Sequence, residues 1–453
     1  MITHTTDKQI LMIGTGYVGL ITAVGLMKQG NDVSCYDINP ERVALLKSGQ
    51  PPFYEPQVAE LMQQGMAAQK IHFYDKLDDA YSGQRYIFVG VQTPQDANGR
   101  SDLSALFAAV TSVAEKITTQ PTLLIIKSTV RVGVFDELAA IPAVQGKPIT
   151  FVSCPEFLAE GTAVRDFLNP MRTIVGSNDQ AISEEVAGLF YGLGGANIIT
   201  DAKTAQMIKY SANSFLATRV AFVNDIAEIC EKIGVSVHDV TKALVMDPRV
   251  GGTYLSPSIG FAGPCLPKDI AALIETSERI GVPTLLLRGA LAHNEEHLRH
   301  VISQITQNVP ANASIAMLGL SFKANTDDVR NSFALRIAQS LLEQGFSIRA
   351  TDPQAIPAAK HELSHPNLTF CQDAFEAAQQ TDLQLCMTPW EAYKTLDLAR
   401  LGQVVKTKHI FDTMQVLSAT EAQNQGFVYR GVGEASDGQG RPLFVITDNP
   451  KSA

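Results

Sequence analysis

Gly14, Gly16 and Gly19 form a G-x-G-x-x-G run, and Asp37 stands 23 residues after the first of them. Alone the pattern is weak. It gains meaning when an apolar strand precedes it, a helix follows it and an acid closes the next strand. Gln9–Ile13 (QILMI) reads as that strand. An apolar helix runs to about Gln29, Gly30 stops it, and Asp32–Tyr36 is a second strand ending at Asp37. The glycines let backbone amides at the helix start meet a pyrophosphate, and the acid accepts hydrogen bonds from adenosine ribose hydroxyls. A carboxylate there repels a 2′-phosphate, so the expected cofactor is NAD over NADP. The competing reading is a glycine-rich packing turn.

Cys265 lies in GFAGPCLPKD. A lone cysteine is commonly a small buried hydrophobe. Here Gly263, Pro264 and Pro267 keep it out of a regular element, Lys268 adds a cation, and Asp269 reads as the N-cap of the helix IAALIETSERIG. A thiol at a helix start beside a lysine favours the thiolate, the nucleophilic form. Glu156 and Glu160 in PEFLAEG are four apart and share a face if the segment is helical. They are a candidate acid pair or a solvated first turn. Lys209 and Asn213, also four apart, are candidate oxyanion donors or part of an exposed face. The polar stretch Phe322–Lys323 and Thr326–Asp327–Asp328–Val329–Arg330 follows a strand, the place where doubly wound sheets bind ligands. His293, His297 and His300 fall at helical spacing and read as a surface, with adventitious metal binding as the lesser alternative. The nine histidines form no Cys/His set, so no metal is expected.

The elements that position these residues are legible in outline. Further strands are expected at 86–91, 122–127 and 150–153, with helical patterns between them. That alternation implies a doubly wound parallel sheet. Ala202–Ile233 has neither Gly nor Pro, with Asp201 to cap it and Gly234 to stop it. A helix of that length spans about 48 Å at 1.5 Å per residue and suggests a spine between two domains. A second β-α-β unit begins at Ser314–Leu318, continues through a helix at 332–344, and closes with a strand at 346–351 before Asp352. It lacks the glycine fingerprint, so its loop should hold something other than a dinucleotide pyrophosphate. The expected fold is α/β: two Rossmann-like parallel-sheet domains joined by a long central helix, divided as 1–200, 201–310 and 311–453. The tail from Glu434 reads as loosely ordered.

Composition narrows the function classes. The chain has 453 residues, 45% hydrophobic and 18% charged, which suits a large core and excludes wholesale disorder. Lys plus Arg is 36 and Asp plus Glu is 46, a net charge of −10. An acidic chain is a poor partner for nucleic acid or an anionic membrane. The six cysteines form no CxxC. Residues 10–27 carry no charge, yet their glycines argue for a strand, a turn and a buried helix rather than a membrane span. MITHTTDKQ is no signal peptide, and a cytoplasmic location is expected.

Taken in order, GTGYVGL at Gly14, YEP at Tyr54, TPQDANGRSDLS at Thr93, KSTV at Lys127, PEFLAEG at Pro155, AQMIKYSANSFLA at Ala205, GPCLPKD at Gly263 and GLSFKANTDDVR at Gly319 resemble the nucleotide-sugar dehydrogenase family that includes the UDP-glucose and GDP-mannose dehydrogenases. The resemblance covers nearly the whole chain. It implies an NAD-binding domain, a central helix that makes a homodimer, and a domain that binds the sugar's nucleotide. It also implies that a sugar C6 hydroxyl is oxidised twice, with Cys265 as the nucleophile of the second stage. Lys209 and Asn213 would hold the oxyanion, Asp269 a water, and Thr129 and Glu160 would lie near water and nicotinamide.

The remaining expectations also rest on the resemblance. Gly14, Gly16, Tyr17, Val18, Gly19, Asp37, Arg42, Thr93, Thr129, Glu160, Lys268 and Arg330 match cofactor positions. Glu156, Phe157, Leu158, Lys209, Asn213, Tyr254, Leu255, Ser256, Pro257, Ser258, Ala262 and Lys323 match substrate positions. Arg249 matches a residue that reaches a neighbouring subunit's site. Ala159 and Ala262 depart from the family pattern. YEP leans towards UDP-glucose, and Lys268–Asp269 resembles the UDP-glucose and GDP-mannose enzymes more than those acting on N-acetylated sugars. Another nucleotide sugar, such as GDP-mannose or a UDP-N-acetylhexosamine, remains an alternative. So do a two-electron hydroxyacid dehydrogenase and a non-catalytic NAD-binding sensor.

Overall fold

The computed structural model describes residues 5–96, 100–307 and 309–434. The glycine-rich tail past 434 and the middle of TPQDANGRSDLS lie outside the described residues. The chain divides into two compact units: residues up to 214 with 268–284, and residues 215–267 with those from 285 onward. The division falls inside the long helix, after Ser214, and again after Pro267. The expected central region 201–310 is thus shared between the units.

The first unit holds an eight-stranded sheet. Its strands are β1 (Gln9–Ile13), β2 (Asp32–Tyr36), β3 (Ile71–Tyr74), β4 (Tyr86–Val89), β5 (Thr122–Ile126), β6 (Ile149–Ser153), β7 (Arg172–Gly176) and β8 (Ala196–Thr200), in the order 3-2-1-4-5-6-7-8. β4 (YIFV) and β5 (TLLII) are buried at every residue, as central strands covered on both faces must be. In β1, Ile10 and Met12 enter the core on one face, while Leu11 and Ile13 enter the core on the other. The sheet is parallel up to β6. β7 then meets β6 antiparallel, through the pair Ser153 and Gly176. Only an irregular stretch and the short helix Ala163–Leu168 join those strands, and antiparallel neighbours need no crossover helix.

The second unit holds six parallel strands, β9 (Ser314–Leu318), β10 (Ser347–Thr351), β11 (Leu368–Phe370), β12 (Leu383–Cys386), β13 (His409–Asp412) and β14 (Val428–Gly431). Their order, 11-10-9-12-13-14, repeats that of the first six strands of the larger sheet. Each sheet therefore reverses strand order beside its first strand, where ligands bind in such sheets.

The uncharged run 10–27 is a strand followed by the helix Tyr17–Lys28. Among the described residues no helix is long and apolar enough to cross a membrane. The long helix spans Ala202–Ile233. Asp201 caps it by accepting from Thr204 N at 2.9 Å, and Gly234 leaves it at φ 75°.

Three expectations need correction. The helix carrying the cysteine motif is Leu266–Arg279, so Asp269 sits inside its first turn rather than at its N-cap. Pro267 suits that turn, because no intrahelical N–H is missed there. Glu156 and Glu160 share no helical face, because Pro155 opens an irregular segment and the next helix starts at Ala163. His293, His297 and His300 are not a surface. They lie on the helix Leu285–Gln307, and His297 is 0% exposed. His293 faces Asp225, His297 faces Glu228 and His300 faces Glu231, all acids of the long helix. Helical spacing marks which side chains share a face. What covers that face is a tertiary fact.

Candidate active site

In the first unit the glycine turn leaves β1 at Gly14, whose φ of 88° suits glycine. A Cβ on Gly19 would lie 1.9 Å from Gly14 O, so the helix can pack on the turn only without one. A Cβ on Gly16 would meet nothing within 4 Å. The helix Tyr17–Lys28 thus begins on an open side, with no side-chain cap and no acid in its first turn. Such an end presents amides and positive potential to an anion. The residues present suit a dinucleotide pyrophosphate.

Asp37 is buried beyond β2. Its carboxylate accepts from Thr15 N and Thr15 Oγ1, both at 2.8 Å, from Asn39 N at 2.9 Å and from Arg42 Nη1 at 3.0 Å. Burial pushes its pKa up, but the Asn39, Thr15 and Arg42 contacts outweigh that and hold it below the ordinary aspartate value. After β10 Asp352 likewise binds a loop, accepting from Leu320 N at 2.8 Å and from Ser321 N and Oγ at 3.1 Å. Each acid therefore shapes the loop after its sheet's first strand. Thr93 Oγ1 donates to Thr129 O at 3.0 Å, which joins the loops after β4 and β5. Val18, Thr129 and Glu160 are half-buried. Burial, Glu55 and then Glu160 push the Tyr17 phenol up.

The same unit buries a charged cluster. Lys209 Nζ donates to Glu156 Oε1 at 2.9 Å. Lys209 and Asn213, one turn apart on the long helix, are both buried rather than solvent-facing. Glu156 Oε2 accepts from Leu158 N at 2.6 Å. Burial pushes the Glu156 pKa up, but the Lys209 cation, its hydrogen bond, the Leu158 amide and the Lys127 cation together hold it below the usual value. The Phe157 ring lies 4.4 Å from the Arg172 guanidinium and 5.3 Å from Lys209 Nζ. Asn213 Nδ2 donates to Asp269 Oδ2 at 2.6 Å, and Lys268 Nζ donates to Asp269 Oδ1 at 2.5 Å. The unit therefore presents a lysine and an amide, each oriented by a buried carboxylate. Such donors stabilise a developing oxyanion.

In the second unit Cys265 is exposed and immediately precedes Leu266–Arg279. The other five cysteines are buried. The loop before it is fastened down. Gly263 has φ 78°, and a Cβ there would lie 2.6 Å from the Phe322 ring. Asn294 accepts from Phe261 N at 2.8 Å and donates to Phe261 O at 3.0 Å. Phe322 adjoins Lys323, so the cysteine loop and the loop after β9 are neighbours, with Ala262 and Lys323 half-buried there. In the segment from Tyr254 to Ser258, Tyr254 and Ser256 are exposed, while Leu255, Pro257 and Ser258 are buried. Ser258 N donates to Asn224 Oδ1 at 2.9 Å. Arg249 is 90% exposed and pairs with Asp247, and Arg330 pairs with Asp328.

Three positioning residues escaped the reading of the sequence. Glu55, buried, accepts from Tyr17 Oη at 2.5 Å, Gly161 N at 2.6 Å and Ala163 N at 2.8 Å. It ties the glycine-turn helix to the end of PEFLAEG and the start of the helix that follows. The YEP triplet marked its place, but nothing local shows that its carboxylate is buried. Lys127, also buried, lies 3.8 Å from Cys154 Sγ and helps keep Glu156 charged. KSTV was its only signal. Asn294 had none.

Three segments match the UDP-glucose/GDP-mannose dehydrogenase family: its NAD binding domain over residues 8–193, its central domain over 203–296 and its UDP binding domain over 316–419. A UDP-glucose 6-dehydrogenase of Bacillus subtilis (strain 168) is 34% identical, over 94% of this chain and 93% of its own. One from Rhizobium meliloti (strain 1021) is also 34% identical, over 94% and 99%. The structure of a UDP-glucose dehydrogenase from Pyrobaculum islandicum superimposes with a TM-score of 0.86 at 29% identity, covering 94% of this chain and 98% of that one. Glycine turn, buried lysine–carboxylate cluster and helix-terminal cysteine stand on a chain similar to these enzymes along nearly its whole length, and the protein belongs to the UDP-glucose/GDP-mannose dehydrogenase family.

Proposed function

We propose that the protein oxidises the C6 hydroxyl of UDP-glucose to a carboxylate with NAD, giving UDP-glucuronate. The observation that carries this reading is the set of oriented donors within the first unit, Lys209 on Glu156 and Asn213 on Asp269, the latter on the helix that Cys265 immediately precedes in the chain. NAD, when bound, would accept one hydride per stage, so a second NAD would replace the first NADH before the second oxidation. Gly14, Gly16 and Gly19 hold its pyrophosphate and Asp37 its ribose, with Tyr17, Val18, Arg42, Thr93, Thr129, Glu160, Lys268 and Arg330 as further contacts. Glu156, Phe157, Leu158, the residues from Tyr254 to Ser258, Ala262 and Lys323 hold the nucleotide sugar.

In the first stage the hydroxyl loses a proton and a hydride to become an aldehyde. An aldehyde has no second hydride to give until a nucleophile adds to it. The Cys265 thiolate adds to the carbonyl carbon, and the oxygen takes a proton to give a thiohemiacetal. Loss of a hydride and that proton leaves a thioester. Water, positioned by Asp269, adds to the thioester and expels the thiolate. Lys209 and Asn213 stabilise the negative oxygen wherever it develops.

The proposed assembly is a homodimer. Phe215, Phe222, Ile229 and Ile233 are 61, 49, 54 and 66% exposed on the long helix, at intervals that align them on one stripe. A stripe of that kind is stabilised by burial against its own copy. Arg249 then extends to the partner's site. The proposed compartment is the cytoplasm, which suits six cysteines without a disulfide.

The test is NADH production across a panel of UDP- and GDP-sugars. UDP-glucose should give the highest kcat/KM and two NADH per sugar. A different preferred sugar would replace the substrate. One NADH per sugar would overturn the double oxidation, and NAD binding without turnover would favour the sensor.

A further inference from the structure

The three histidines of the helix Leu285–Gln307 take no part in the proposed reaction. They face three acids of the long helix, all within the second unit, and one part of this ladder is arranged for more than ion pairing. His293 and His297, at i and i+4, share one face of their helix, the spacing by which a helix offers two imidazoles to one metal. Glu228 faces them from the long helix. One ligand atom from each of Glu228, His293 and His297 lies within 4.8 Å of the others.

The hydrogen bonds decide which atoms are available. His297 is 0% exposed, and its Nε2 lies 2.7 Å from the Ser258 carbonyl oxygen, which only accepts. Nε2 therefore donates, and Nδ1 faces Glu228 Oε1 at 2.6 Å. An imidazole lone pair and a carboxylate oxygen at that separation need a cation between them. A proton bridges them at 2.6 Å, and a tetrahedral metal ion in its place would set the two atoms about 3.3 Å apart, a shift of less than about 1 Å. His293 lies with Nδ1 3.3 Å from Asp225 Oδ1, while its buried Nε2 has no hydrogen-bond partner. Asp225 and the Ser258 carbonyl thus orient the two rings from outside, as carboxylate and carbonyl groups orient metal-bound histidines.

We propose that Glu228, His293 and His297 bind one Zn²⁺ ion, with His293 Nε2, His297 Nδ1 and a Glu228 oxygen as ligands and water in a fourth position. Two imidazoles and one carboxylate are a set that Zn²⁺ accepts, and its filled d shell imposes no geometry on the pair of helices. The ion clasps the long helix to Leu285–Gln307. Through His297 it also fixes the Ser258 carbonyl.

The test uses the full chain stripped with EDTA and titrated with Zn²⁺ against a chromogenic chelator. Wild type should bind one equivalent at this site, and the ion should raise its Tm. His293→Ala and Glu228→Gln should each lose that equivalent, with circular dichroism showing that they fold. Asp225→Asn should weaken binding about 10-fold, as loss of an outer partner does. Co²⁺ in place of Zn²⁺ should give the visible bands of a tetrahedral nitrogen–oxygen site without a sulfur charge-transfer band. Because His297 is buried, folded His293→Ala is the deciding variant. If it binds Zn²⁺ as wild type does, or if wild type binds none, protons alone bridge the ladder and the site is refuted. An equivalent that vanishes only in Cys265→Ala would refute it too, by placing the ion on the thiol.

Discussion

Asn213 and Asp269, 56 residues apart, meet at 2.6 Å inside the first unit, where Asp269 is 1% exposed. The second oxygen of the same carboxylate holds Lys268. One buried acid thus aims an amide from the long helix and an ammonium from its own helix. Asp269→Asn keeps the shape, removes the charge and puts an NH₂ near Asn213. We expect kcat to fall by about 100-fold, the scale of losing one oriented oxyanion donor, with KM changing far less. Steady-state kinetics on UDP-glucose decide it. A kcat within a factor of three of wild type would leave Asp269 a packing residue.

Cys265 is tested by stoichiometry. Cys265→Ala should bind NAD normally yet release no more than one NADH per UDP-glucose. Cys265→Ser should accumulate an ester to the sugar nucleotide, visible as added mass on the protein. Two NADH per sugar at near wild-type rate from the Ala variant would remove the thiol from the mechanism.

Lys209 and Glu156 form a buried pair, so either alone is an uncompensated charge. Lys209→Met should cost about 3–5 kcal/mol of stability, as breaking a buried pair does. The pH dependence follows from the direction of the Glu156 shift. Its folded pKa lies below the ordinary 4.5, so the carboxylate stabilises the fold above that pH, and the benefit disappears as pH falls through the folded value. The Tm gap between wild type and Glu156→Gln should therefore narrow on acidification below 4.5. A gap independent of pH would show that the pair carries no linked proton.

Asp37 binds Arg42 and the Thr15 backbone together. Asp37→Ser should release the guanidinium and remove the repulsion of a 2′-phosphate. The NADP to NAD ratio of kcat/KM should rise about 10-fold or more, equivalent to about 1.4 kcal/mol. An unchanged ratio would make Asp37 a staple of the loop and nothing else.

Phe222 stands in the middle of the exposed stripe. Phe222→Glu puts a charge where the proposed interface is driest. Light scattering should show the mass of one chain, and activity should drop because Arg249 no longer reaches a neighbour. A Phe222→Glu protein that stays dimeric would move the interface elsewhere.

Local sequence determined the parts whose physics is local. The glycine turn, β1, β2 and Asp37 follow from side-chain size, strand hydrophobicity and turn chemistry within a short stretch, and the long helix from 32 residues without a breaker between Asp201 and Gly234. Order of motifs along the chain carried the family. Tertiary structure alone decided what each polar side chain faces. Glu156 read as a solvated helical turn, yet it is buried against Lys209, because Pro155 prevents the helix and the partner comes from 53 residues away. Asp269 read as a cap, yet it orients Asn213. His297 read as surface, yet the long helix covers it. Helical and strand periods state which residues share a face, but burial depends on which element packs on that face. For a charged residue, that packing separates a solvated side chain from one held in a fixed pair.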